Sequence, residues 1–224
     1  MNKKLYRLSQ ILFIICLLSY IAFLYFKVDC YIDADDASEL VLARLINKDG
    51  KLFTTNWFYS TELRILSYQL IFAPMFALTH SFFYTRLFSS IILMIILILS
   101  YYYLLKQLEL EKYFFISSSL LLLPLSLEYF NFVYKGLHYI FNIVITFITL
   151  AVIEKYLKSN KRIILVPIIL LSLISNLNSF KQLFYTQAPL LGGAILLYLF
   201  DFIKRNDKKE SIRFSIFLFQ QIYN

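Results

Sequence analysis

Apolar runs long enough to cross a lipid bilayer recur from one end of this chain to the other and leave room for little else. A spanning helix needs about 20 mainly apolar residues, so a chain of 224 residues holds several spans. Hydrophobic residues make up 60% of the sequence and charged ones only 16%, where a soluble globular domain carries roughly a quarter charged residues. The sequence therefore predicts an all-α polytopic membrane protein whose core is a helix bundle among lipids.

Spans are expected at about 8–26, 84–105, 113–133, 139–157, 162–178 and 187–203. Two further apolar-rich stretches, 36–48 and 60–79, are assigned by charge. Cytoplasmic segments are enriched in Lys and Arg. With 60–79 on the membrane surface, the inner segments collect fourteen of the 22 basic residues, including Lys3, Lys4, Arg7, Lys155, Lys158 and the 204–213 cluster. If 60–79 spans instead, two strong basic clusters move outside. The expectation is six spans, a cytoplasmic N-terminus and a large outward loop at 27–83 carrying two amphipathic surface helices. Residues 84–203 then hold five further spans of a single membrane domain, and 204–224 an inner segment.

The net charge of +8 sits in short clusters between apolar runs, as topology signals do, which excludes nucleic acid as a partner. Residues 1–7 followed by the apolar run 8–26 resemble a signal peptide. No small-x-small cleavage site follows, so an uncleaved signal-anchor is predicted. Cys16 and Cys30 would stand roughly 20 Å apart along a continuous helix, too far to form a disulfide. The run from Ile212 to Asn224 reads as a further span that is cut off, as in the N-terminal part of a longer protein.

The outward loop opens on an acidic cluster, Asp33, Asp35, Asp36 and Glu39. Asp36 as N-cap and Glu39 at N3 fit a capping box. Ala37, Leu40, Val41 and Leu45 form the expected apolar stripe, and Lys48 and Gly50 are C-terminal signals. Carboxylates this close repel, which raises a pKa or recruits a cation. Either result suits chemistry: a general base, or a divalent cation held by Asp33 and Asp35. Asp36 is explained by capping alone, and Asp33 by a turn. Asp35 has no such explanation.

Trp57 and Tyr59 fit interfacial anchors or ligand contacts. Ser60 to Leu63 could start another helix, or Glu62 and Arg64 could line an anionic pocket with Arg64 on a phosphate. Arg86 opens the second span and can snorkel. Glu128, Lys135, His138 and Lys181 fall at the same predicted face as the acids. Singly they are ordinary loop polarity; together with Arg86 they form a candidate phosphate-binding rim. No zinc pattern, phosphate loop, catalytic triad order or dinucleotide fingerprint is present.

The order of signal-anchor, acidic motif, surface helix, second surface helix and Arg-led span resembles the type-C membrane glycosyltransferases. These include the protein O-mannosyltransferases and lipid A aminoarabinose transferases. Asp35, Asp36, Ala43 and Arg44 match their pattern of an Asp-acid pair followed by Ala-Arg. Trp57 falls where many carry Gly-Asp-Trp, and Thr85 to Ser89 is similar to their Arg-Leu-x-Ser start of the second span. The resemblance covers about residues 1–130. It departs at Tyr59 to Arg64, where relatives often carry Lys-Pro-Pro.

The resemblance implies transfer of a sugar from a polyprenyl-phosphate donor to a glycan, lipid or protein acceptor. The site would face outward from a bacterial cytoplasmic membrane. Asp35 would be the base, and Arg64, Arg86, Lys135 or Lys181 would stabilise the phosphate leaving group. The competing expectations are a truncated or inactive relative acting as a scaffold and, less favoured, a transporter. Transporters place charge near the bilayer midplane, and these apolar runs carry almost none.

Overall fold

A computed structural model describes residues 2–59, 67–135, 139–159, 161–178, 183–193 and 195–196. All regular structure among the described residues is helical, with no strand. Three helices are long and apolar enough to cross a membrane: α1 (Lys3–Phe26), α4 (Phe82–Gln107) and α7 (Ile140–Ser159). They match three of the expected spans. Between α1 and α4 lie α2 (Ala34–Asp49) and α3 (Gln69–Thr79), followed after α4 by α5 (Phe114–Leu121). A short turn, α6 (Leu127–Tyr129), runs on as a π-helical segment over Phe130–Lys135, and α8 (Leu165–Asn178) follows α7.

Helix ends follow local chemistry. Asn2 caps α1 by accepting the Lys4 N–H at 3.2 Å. Gly50 ends α2 in the left-handed region at φ +63°, and its N–H closes on Ile46 O at 2.9 Å. That conformation costs a glycine little, because it has no Cβ.

α4 is the central strut. Its buried Leu93, Met94 and Leu97 pack with Tyr20 and Leu24 of α1 and with Ile140 and Val144 of α7. Leu8, Ile11, Ile15 and Leu18 lie on the exposed side of α1, as a lipid-facing side requires. Two ion clusters mark opposite ends of α4. Arg86 takes part in one. At the other, Lys158 of α7 pairs with Glu109 at 2.8 Å, just past the C-terminus of α4. From Arg86 to Gln107 the helix rises about 30 Å, the thickness of a bilayer's hydrocarbon core.

The expected span at 113–133 is not one helix. Residues 122–126 are non-helical. Pro124 lacks an N–H, and its ring would clash with the carbonyl four residues back, so a helix cannot run through it undisturbed. The Tyr129 hydroxyl donates to the Leu121 carbonyl at 2.6 Å and satisfies a group the break leaves open. Ser126 restarts the helix by accepting the Tyr129 N–H at 3.1 Å. The broken segment nevertheless runs alongside α1. Tyr6 meets Phe115 at 5.6 Å between ring centroids, and Phe23 meets Phe130 at 5.7 Å. The two contacts are about 25 Å apart along α1.

The predicted α2 is present but begins three residues early and is turned about its axis. Its buried face is Asp36, Glu39, Leu40, Leu42, Ala43 and Ile46. Ala37 and Val41, expected in the apolar stripe, are exposed. Of the expected second surface helix at 60–79, residues 69–79 form α3 and 60–66 lie outside the described residues. The expected last span at 187–203 is described only to residue 196, and the segment 204–224 lies outside the described residues.

Candidate functional site

The acidic cluster becomes two different things in three dimensions. Asp33, not Asp36, is the N-cap of α2. Its Oδ1 accepts the Asp36 N–H at 2.9 Å, and Asp36 Oδ2 accepts the Asp33 N–H at 3.4 Å. The capping box is therefore Asp33/Asp36, one helical turn before the predicted Asp36/Glu39 pair. Aspartate at N3 is one methylene shorter than the usual glutamate, in keeping with the long return bond.

Asp36 is inside the protein, at 5% exposure, and so are the two cations that reach it. Lys135 Nζ lies 2.9 Å from Asp36 Oδ2 and 2.6 Å from Asp33 Oδ2. An Arg86 Nη lies 3.6 Å from Asp36 Oδ2 and donates to the Lys135 carbonyl at 3.1 Å. Two acids and two bases thus form a clasp. It ties the start of α2 to the first turns of α4 and to the end of the broken segment. Buried charges are tolerated where each finds an opposite charge and further hydrogen bonds, and this arrangement supplies both. Arg86 Nε is buried with no hydrogen-bond partner among the described residues.

The carboxyl of Asp33 is held below its ordinary value by the Lys135 hydrogen bond, and then by the Asp36 N–H. Burial alone would lower the pKa of Lys135, but the hydrogen bonds to Asp33 and Asp36 outweigh it and raise the value. A depressed acid adds stability above its unfolded pKa, and that stability is lost as pH falls through the folded value. A raised lysine adds stability below its unfolded pKa, lost as pH rises through the folded value. With unfolded values of about 3.9 and 10.4, the clasp is fully made between roughly pH 4 and pH 10. Thermal midpoints in lipid nanodiscs should be flat across this window and fall on both sides. In the variant Lys135→Met the alkaline fall should shrink; an unchanged alkaline limb would contradict the assignment.

Asp35 is the exception. It sits in the first turn of α2, exposed, and its side chain makes no hydrogen bond or ion pair among the described residues. Only its carbonyl is engaged, by the Ser38 hydroxyl at 2.8 Å. Of the three aspartates, this carboxylate alone is free to take a proton.

The geometry does not fit the expected divalent cation on Asp33 and Asp35. Both Asp33 oxygens already accept hydrogen bonds, one of them from an ammonium at 2.6 Å. No group of three metal-ligating side chains gathers among the described residues. Lys135 and Arg86, expected in a phosphate rim, are buried at 3% exposure each and held on carboxylates instead. Trp57 packs with Tyr59 against Leu42, Ile46 and Ala73, a structural role between α2 and α3. Glu62, Arg64, His138 and Lys181 lie outside the described residues.

Gln69, which sequence reasoning left aside, meets Glu39, expected only as the N3 member of a capping box, inside the protein. Gln69 Nε2 donates to Glu39 Oε2 at 2.7 Å and to the Glu39 carbonyl at 2.8 Å, which locks α3 onto α2. The available signal was spacing: Glu39 falls three residues after Asp36 and one before Leu40, on the side of the helix that faces the bundle. At the far end of α2 the Asp49 carboxyl is held low by the Thr54 hydroxyl and then by the Asn56 amide. These contacts tie down the turn after Gly50.

No protein family, curated protein or solved structure is matched by the chain.

Proposed function

We propose that the chain is a membrane glycosyltransferase of the type-C kind, with Asp35 as its general base. The observation that carries the reading is the division of labour in the acidic cluster. Asp33 and Asp36 are consumed by capping and by Lys135, whereas Asp35 stands exposed one residue away on a helix that they hold in place. A base is useful only when presented at a fixed position with its charge unspent.

In this reading the broken 113–133 segment is the third of six spans, α8 the fifth and 187–203 the sixth. The N-terminus is cytoplasmic, the Asp33 end of the bundle faces outward, and the membrane is a bacterial cytoplasmic membrane. Asp35 takes the proton of an acceptor hydroxyl as the oxygen attacks the anomeric carbon of a polyprenyl-phosphate sugar. The bond to phosphate breaks, and the lipid phosphate leaves with the electron pair. Being a weak base, it needs no strong general acid. With Lys135 and Arg86 engaged on carboxylates, Arg64 and Lys181 remain as candidates to meet its charge.

The same clasp supports a second reading. Two of the three acids have purely structural partners, so the loop would also suit an inactive relative that acts as a scaffold. Incubating membranes with radiolabelled polyprenyl-phosphate sugars separates the two readings. Transfer by the wild type that is lost in Asp35→Asn supports the enzyme. Transfer retained in Asp35→Asn removes Asp35 as the base, and no transfer by the wild type with any donor tried favours the scaffold.

A further inference from the structure

At the end of the bundle away from Asp35, α1 and the broken segment start side by side. Tyr6 meets Phe115 at 5.6 Å between ring centroids, and Phe13 meets Phe114 at 5.9 Å. Lys3 and Arg7 stand beside Tyr6 on one side of α1, because residues four apart share a helix face. Lys112 lies three residues before Phe115. Three cations thus mark the start of one helix–helix seam.

All three are exposed, and none forms an ion pair among the described residues. Lys135, Arg86 and Lys158, by contrast, are each held on a carboxylate. The acid beside the seam is Glu111, next to Lys112 in the chain, so the three cations outnumber it and the patch stays positive. Its surroundings are set by the spans. From Arg86 to Gln107 α4 covers about 30 Å, the thickness of the hydrocarbon core, so the ends of the spans stand at the lipid headgroups. Lys112 Nζ lies over the Tyr113 ring at 5.1 Å, and aromatic rings settle at this interface. From Tyr113 the exposed side of α5 continues through Ile116 and Leu120, an apolar stripe about 10 Å long.

Unpaired cations at headgroup level, with an apolar stripe leading from them into the bilayer, match the two parts of a phospholipid. A soluble phosphate would use the cations and leave the stripe uncovered. We propose that the α1–α5 seam binds an anionic phospholipid, its phosphate on Lys3, Arg7 and Lys112 and one acyl chain along Tyr113, Ile116 and Leu120. Each cation near an anionic headgroup strengthens binding about fivefold. The seam is remote from Asp35, so the inference does not depend on transferase activity.

Native mass spectrometry of the full chain in detergent, titrated with phosphatidylglycerol or phosphatidylcholine, resolves bound lipids one at a time. The wild type should hold a first phosphatidylglycerol about tenfold or more tighter than phosphatidylcholine. Replacing Lys3, Arg7 and Lys112 together with glutamine should erase that preference. Lys155→Gln with Lys161→Gln removes exposed charge from the same end of the bundle, on and after α7, and should leave the preference largely intact. Glycerol phosphate, which has the phosphate without the acyl chains, should not displace the lipid. Equal retention of the two lipids by the wild type would overturn the assignment. So would a preference that survives in the triple variant, an equal loss in the Lys155 and Lys161 variant, or displacement by glycerol phosphate.

Discussion

Replacing Lys135 with methionine should destabilise the protein by about 3–5 kcal/mol, the usual cost of removing one partner from a buried ion pair. Asp36 is 5% exposed and loses the ammonium at 2.9 Å. The Arg86 guanidinium remains, but at 3.6 Å and shared with a backbone carbonyl. Asp33 suffers less, because its side chain is 54% exposed and water replaces the lysine. Asp33→Asn should therefore cost no more than about 1 kcal/mol, asparagine being as good a cap as aspartate. Adding Asp36→Asn to Lys135→Met should recover part of the loss, since the two residues are in direct contact and their effects do not add. Reversible unfolding of the three variants and the wild type in lipid nanodiscs gives all three differences. Equal losses for Lys135→Met and Asp33→Asn would contradict the clasp.

Asp35→Asn should lower sugar transfer by about 10²–10⁴-fold, the contribution typical of a positioned general base. Its cost in stability should stay below about 1 kcal/mol, the most that an exposed acid gains from a helix N-terminus. The combination matters more than either number. A residue that merely supported the fold would lose activity and stability together. Asp36, buried on Lys135 and Arg86, should by the same reasoning lose both. Wild-type transfer by well-folded Asp35→Asn would rule out the assigned role.

The sequence made the existence of α2 and its end at Gly50 plain, because a left-handed C-cap and the acids at the start are local signals. Its starting residue was not decidable locally. Three aspartates within four residues can each cap a helix, and the choice falls to Asp33 because Asp36 is drawn inward by Lys135. That partner lies about a hundred residues further along the chain, and no local pattern announces it. The misplaced apolar stripe has the same origin. Ala37 and Val41 are more apolar than Asp36 and Glu39, so hydrophobicity alone faces them inward. Lys135, Arg86 and Gln69 reverse the preference by giving the two acids partners inside the bundle. Pro124 is a different case, since a proline in the middle of an apolar run is a local sign of a break. The apolar runs themselves identified α1, α4 and α7, where length and composition suffice. The readiness of Asp35 to react was legible only by elimination, and burial and pairing give that elimination its physical ground.

Carboxylate reactivity toward a water-soluble carbodiimide, read residue by residue with mass spectrometry of the folded chain in nanodiscs, tests the division of labour most directly. The structure predicts rapid labelling of Asp35, slower labelling of Asp33 and near-complete protection of Asp36, with Asp36 becoming reactive in Lys135→Met. Equal labelling of Asp35 and Asp36 in the wild type would mean that the acidic cluster is not divided between a buried clasp and an exposed base.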